Sequence, residues 1–204
     1  MNATPAAPDG AHAETAVLPR PSRRRAPRRD VLRHRAMLLD AAERVFAASG
    51  AHVSLDAVVE AAGVGRATLY RHFPDRAALL LALFDRDMAA VMAAGEDLPA
   101  GDVLFSKLMA LGRATRQAPA LEEAWRALLP NHPGMQERRR DILARMEQPL
   151  ADAIAAGRVR PDLTLDDVIH IGRMLLAGNR YAQGDEAAGE RILDLMLNGI
   201  RGPN

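Results

Sequence analysis

The stretch AAGVGRATLYRHFPDR, residues 61–76, sets Arg66, Thr68, Tyr70, Arg71 and His72 on one short segment between a glycine-spaced turn and a proline. These side chains end in the hydrogen-bonding heads that read base edges and hold phosphates. A guanidinium matches guanine O6 and N7, and a threonine meets a thymine methyl or a base acceptor. Tyrosine and histidine supply neutral donors that keep a helix in register on the phosphates. Each head also has a blander use. Tyr70 can pack as a rim aromatic on the first helix, His72 can be a solvated histidine, and Arg66 and Arg71 can keep a short helix soluble. Their occurrence together favours the DNA-facing reading.

Catalysis finds no comparable foothold. The six histidines, at 12, 34, 52, 72, 132 and 170, show no metal-ligand spacing, and there is no cysteine. Neither a Walker nor a Rossmann glycine pattern occurs, and no serine lies in a nucleophile elbow. The expectation is a non-enzyme with no metal and no cofactor.

The elements that must position the polar heads are legible around them. From Asp30, Leu38, Ala41, Ala42, Val45 and Phe46 recur at helical spacing until Gly50. Ser54 is placed to cap a second helix with the apolar face Leu55, Val58, Val59 and Ala62, and Gly63 supplies its stop. A third helix follows almost at once, from about Gly65 to Phe73. Two short helices joined by so tight a glycine turn must cross steeply, as in a helix-turn-helix. Val64, Leu69 and Phe73 then point to the core while Arg66, Ala67, Thr68, Tyr70, Arg71 and His72 stay outward or at the rim. Pro74 ends the segment, and Asp75 caps a fourth helix carrying Leu79, Leu80, Leu83, Phe84, Met88 and Val91.

Composition agrees with an all-α fold: 49% of the 204 residues are hydrophobic but only 3% aromatic, so Ala, Leu, Val, Ile and Met must build the core. Further helices are expected near 102–116, 120–129, 134–156, 165–182 and 186–200. Net charge is only +1, yet residues 20–86 carry 13 Arg against 7 acidic residues, while residues 87–204 hold 14 basic and 17 acidic ones. A polyanion partner is therefore expected for the front half alone. No apolar run approaches the ~18 residues that cross a bilayer, and the arginine-rich start lacks the apolar core of an export signal. A soluble cytoplasmic protein without a membrane partner is expected.

The expected organisation is a disordered arm over 1–29, a helix-turn-helix unit over 30–74, and a larger helical unit over 75–204, with helix 75–94 linking the two. The arm's Arg23, Arg24, Arg25, Arg28 and Arg29 are either a solvated tail or a basic strand that follows phosphates or enters a minor groove. The last two helices present Val168, Ile171, Leu175, Ile192, Leu193, Met196 and Ile200, a candidate twofold interface with a second copy. Phe105, Met109, Trp125, Met146 and Met174 are large or adaptable apolar groups. With Arg113, His170 and Asn179 to orient a polar end, they are candidates for a small-molecule effector site.

The ordered set of a Ser cap, the Ala-Gly-Val-Gly turn, Thr68-Leu69-Tyr70, Phe73-Pro74, a basic residue at 76 and the following Ala-Leu-Leu helix resembles the N-terminal module of TetR/AcrR-type transcriptional regulators over about residues 31–90. The resemblance implies a homodimer on double-stranded DNA at a palindromic operator, with a divergent C-terminal domain that binds an effector and dimerises through its last two helices. It implies that Ser54 meets a phosphate, that Arg66, Ala67 and Thr68 face bases, that Tyr70 and His72 take phosphates, and that Arg76 lies by one at the start of helix four. Gly65 departs from the Ser or Thr cap common there. Repression relieved by a small molecule is the family's usual mode. The competing reading is a ligand-independent architectural DNA-binding protein, which needs no rear domain of this size.

Overall fold

The computed structural model describes residues 28–50, 52–117, 119–182 and 185–201. Among these the helices are α1 (Arg28–Ser49), α2 (Leu55–Ala62), α3 (Arg66–His72), α4 (Arg76–Ala93), α5 (Val103–Gln117), α6 (Pro119–Leu128), α7 (Pro133–Ala155), α8 (Leu165–Ala182) and α9 (Glu186–Asn198). A short 3-10 turn over Ala100–Asp102 and an isolated antiparallel bridge between Val159 and Arg201 complete the regular structure. Arg28 and Arg29, expected in the arm, instead open α1. Arginine is a good helix former, and Asp30 in the same first turn suits the positive end of the helix dipole. Arg23, Arg24 and Arg25 lie outside the described residues.

Two cores hold the chain together. The first gathers Leu38, Ala41, Ala42 and Phe46 of α1, Val58 and Ala62 of α2, Leu69 and Phe73, and Leu79–Leu83 of α4. It also takes in Leu121 and Ala124 of α6, with Leu129 and Met135, from far along the chain. The second joins Val91 and Met92 of α4 to α5, α7, α8 and α9. α4 and α7 thus contribute to both.

At seven residues α3 is far below the ~12–15 at which an isolated helix persists. Packing must therefore hold it. Leu69 is fully buried and Phe73 nearly so, and the Arg35 guanidinium lies 4.8 Å over the Phe73 ring. The turn before it is fixed by Gly63 at φ +64, whose N–H donates to the Glu60 carbonyl while Val64 N–H donates to Val59. These paired bonds close a Schellman cap. Asp75 then caps α4 by accepting from Ala78 N–H at 2.7 Å.

Polar ties fasten α4 along its length. The Trp125 indole donates to the Leu80 carbonyl at 2.9 Å, with its ring edge-on to Phe84. Arg86 bridges to Asp40 at 2.8 Å and Glu43 at 2.6 Å on α1, and Arg138 of α7 donates to Asp85. The Lys107 ammonium, inside the fold, donates to the Met92 carbonyl and, at 3.2 Å, to that of Ala94. A cation there suits the carbonyl end of the helix. α8 and α9 lie so close that a Cβ at Gly178 would fall 2.7 Å from Ile192.

Gly63→Ala should cost about 1 kcal/mol, the penalty of the left-handed backbone alone, because nothing stands within 4 Å of the added methyl. Urea denaturation followed by circular dichroism measures it.

Candidate nucleic-acid interface and ligand cavity

The turn at Gly63 between α2 and α3 leaves α3 with two distinct sides. Leu69 faces inward, while Arg66, Ala67, Tyr70 and Arg71 are exposed and Thr68 and His72 are half-buried at the rim. Tyr70 keeps 48% of its surface in water.

Several heads are already oriented by neighbours. The Arg66 guanidinium forms a two-pronged pair with Asp56 of α2, with Nε to Oδ1 at 2.6 Å and Nη2 on Oδ2. That carboxylate raises the Arg66 pKa by hydrogen bonding and then by its charge. Arg71 donates to the Thr68 hydroxyl at 3.2 Å. Partial burial, with Arg71, Arg35 and His34 nearby, pushes His72 below its ordinary range, so it stands as a neutral donor at pH 7. Ser54 has the extended backbone of a cap, but its hydroxyl makes no capping bond. Arg76 donates to the Val53 carbonyl and lies 5.9 Å from the centre of the Phe46 ring, tying the start of α4 to the loop before α2.

A cavity of about 490 Å³ opens between the two cores, walled by α4, α5, α6, α7 and α8. Phe84, Met88, Leu111, Trp125, Ile142 and Met146 make much of its apolar lining. Asp87, Lys107, Thr115 and Glu122 supply polar groups, with Arg126, Arg139 and Arg173 among the lining residues exposed to water. Burial, and then the charge of Glu43, raises the Asp87 pKa against the opposing pull of Arg86. Burial lowers the Lys107 pKa, with Glu96 opposing and Arg145 assisting.

Residues 38–83, the unit that presents α3, match the family model described as bacterial regulatory proteins, tetR family. Residues 99–202 match the model of a transcriptional regulator SbtR-like C-terminal domain. The chain belongs to the TetR family. It is a DNA-binding transcriptional regulator with the helix-turn-helix in front and a helical domain behind.

Solved TetR regulators share the fold. One from Streptomyces coelicolor is 29% identical at a TM-score of 0.62, with 83% of this chain and 99% of that one covered. One from Mycobacterium vanbaalenii is 28% identical at 0.61, covering 85% and 98%. FadR from Bacillus subtilis, solved in complex with stearoyl-CoA, is 18% identical at 0.62, covering 81% and 99%. Among curated proteins none matches the chain. Among the described residues no helix is long and apolar enough to cross a membrane, and no cluster of three or more acidic or histidine side chains could hold a metal ion.

Of the residues expected at a TetR effector site, Trp125 and Met146 line the cavity and Phe105, Met109, Arg113, His170 and Met174 do not. Helical periodicity explains the division. On α5 the lining positions are Lys107, Leu108, Leu111, Ala114 and Thr115, and on α8 they are Val168, Ile169, Gly172, Arg173 and Leu176. Phe105, Met109 and Arg113 lie on other faces of α5, and Phe105 is covered by the Arg201 guanidinium at 5.0 Å. His170 and Met174 border a separate hollow with Arg160 and Asp162. The side chain of Asn179 falls outside the described set. Lys107, Glu122 and Asp87 were not anticipated at the cavity. A lone lysine inside the apolar run LFSKLMAL was the available signal.

The apolar residues expected at a twofold interface are also divided. Val168, Ile171, Leu175, Leu193 and Ile200 are buried in the chain's own second core, with Ile192 and Met196 half-buried. The large apolar side chains left in water on α8 and α9 are Met174, Tyr181 and Leu195, Tyr181 being 88% exposed.

Trp125 is the chain's single tryptophan. An apolar ligand entering the cavity should therefore change intrinsic tryptophan emission. Ile142→Phe, which takes up part of the space without adding a second indole, should weaken the apparent affinity for such a ligand at least tenfold in the same titration.

Proposed function

We propose that this regulator acts as a homodimer that binds a palindromic operator, represses from it, and is released when a small, largely apolar molecule occupies the cavity. The observation that carries the reading is α3 itself. Arg66, Ala67, Tyr70 and Arg71 stand in water on a helix anchored from behind by Leu69 and Phe73. In this reading Arg66, Ala67 and Thr68 face bases. Ser54, Tyr70, Arg71, His72 and Arg76 hold the flanking phosphates, and Arg23, Arg24 and Arg25 of the arm, with Arg28 and Arg29 at the start of α1, add sequence-independent attraction.

One seven-residue helix reads few base pairs, so discrimination requires two half-sites and a second copy. The exposed Met174, Tyr181 and Leu195 on α8 and α9 favour that pair of helices as the meeting face. The cavity's contact with Phe84, Asp87 and Met88 of α4 favours a response through the helix whose other end opens beside α3. A ligand changes operator affinity only if it prefers one arrangement of the two reading helices over the other.

Thr68→Ala and Tyr70→Ala should each weaken binding to a genomically selected operator at least tenfold while leaving the sedimentation coefficient and helicity unchanged. Fluorescence anisotropy with labelled duplexes reads the first, and undiminished affinity in both variants would refute the assignment. A protein that coated all duplexes alike would be architectural.

His72 adds a pH dependence. Its pKa is lowered in the free chain, whereas a phosphate oxygen against the ring favours the imidazolium. The complex then binds more protons than the free protein, so affinity rises as pH falls. Between about pH 7.5 and about pH 6 the operator should be bound several-fold more tightly, and His72→Gln should flatten that increment in the same assay.

A further inference from the structure

We infer that Asp56 is a specificity-determining residue: it holds the Arg66 guanidinium in the orientation that presents its outer edge to a guanine. The inference rests on the reading of α3 as the base-reading helix and goes beyond it, because Asp56 lies on α2 and touches no base itself.

The donor inventory of arginine carries the argument. A guanidinium has five N–H groups in a rigid plane. Asp56 takes one from Nε and one from Nη2. That leaves both hydrogens of Nη1 and one of Nη2. The Nη1 and Nη2 hydrogens on the edge away from the carboxylate run side by side, the fork that guanine O6 and N7 accept in the major groove. One edge of the plane is thus anchored to protein, while the adjoining Nη1–Nη2 edge makes no hydrogen bond to Asp56. Arg66 keeps 68% of its side chain in water and Asp56 51%, so the pair stands largely exposed.

A role in stability alone explains the pair poorly. An exposed ion pair contributes little to stability, because water screens it and two side chains must be held still to form it. Holding an arginine fixed, however, removes in advance the rotamer entropy that a free side chain loses on meeting a base. The pair also spans the turn between α2 and α3, ten residues apart, so it registers the arginine against a helix that does not enter the groove. The carboxylate has a cost in the same place, since it stands near phosphates and repels them. Removing it should therefore produce opposite changes in two quantities: attraction to any duplex rises, and preference for guanine at one position falls. A merely structural contact moves neither in that pattern.

The test uses the full chain and a randomised duplex library, with binding preference read position by position for the wild type, Arg66→Ala, Asp56→Asn and Asp56→Ala. Arg66→Ala should erase a guanine preference at one position per half-site. Both Asp56 variants should relax that same position about tenfold, leave the others unchanged, and bind an unrelated duplex at least as tightly as the wild type. Urea midpoints within the spread of replicate measurements separate this from partial unfolding. Arg66→Ala altering one position while both Asp56 variants leave it intact overturns the inference and spares the base-reading role of Arg66. An unchanged profile in Arg66→Ala removes that role and the inference together.

Discussion

α4 must satisfy two cores at once, and most of the architecture follows from that demand. Its first turns bury Leu79, Leu80 and Leu83 against α1, α2 and α3, and its last turn buries Val91 and Met92 against α5, α7 and α8. Between those ends Phe84, Asp87 and Met88 face neither core fully and instead line the cavity. An opening at that level is a natural result of two clusters of Leu and Met packed around one rod. Burying each such side chain is worth about 1.5–3 kcal/mol, so apolar packing holds the rod chiefly at its two ends. The Trp125 indole and the Arg86 and Arg138 guanidiniums add direction where apolar packing gives none.

The same economy governs α3. Arg66, Ala67, Tyr70 and Arg71 belong to neither core and stand exposed. Inward, Leu69 and Phe73 suffice because the Gly63 turn delivers the helix already aimed. With Gly65 as its N-cap, α3 starts without a capping side chain and with a cation in its first turn, both unfavourable to an isolated helix. The Asp56 carboxylate beside Arg66 offsets the second. What propensity withholds from this helix, tertiary contacts return.

The front of the molecule was readable from the chain because its signals are local. Gly63, Pro74 and Asp75 act within a few residues of where they stand, and Leu55, Val58, Val59 and Ala62 show their face by spacing alone. The later helices also begin and end within about two residues of their expected bounds, since Pro119, Pro133 and the GRVRPD segment punctuate them. The cavity was read poorly for a physical reason. Size and polarity selected Phe105, Met109 and His170, but which face of α5 or α8 meets the opening depends on how five helices pack. Spacing likewise identified Val168, Ile171, Leu175 and Leu193 as apolar, yet spacing cannot tell a side chain buried in its own chain from one awaiting a second copy. Asp56 escaped notice because its partner lies ten residues away across a turn.

Lys107 clasps the carbonyls of Met92 and Ala94, so the far end of α4 is a fixed point. Along a straight helix rising about 1.5 Å per residue, Met88 stands roughly 6 Å from that point and Arg76 roughly 24 Å. Tilting about the clasp multiplies any displacement about fourfold from the cavity wall to the first turn. Leu79 and Leu80 are embedded in the front core, so under the proposed mechanism a shift of a fraction of a bond length beside a ligand would reach that core enlarged by the length of the rod.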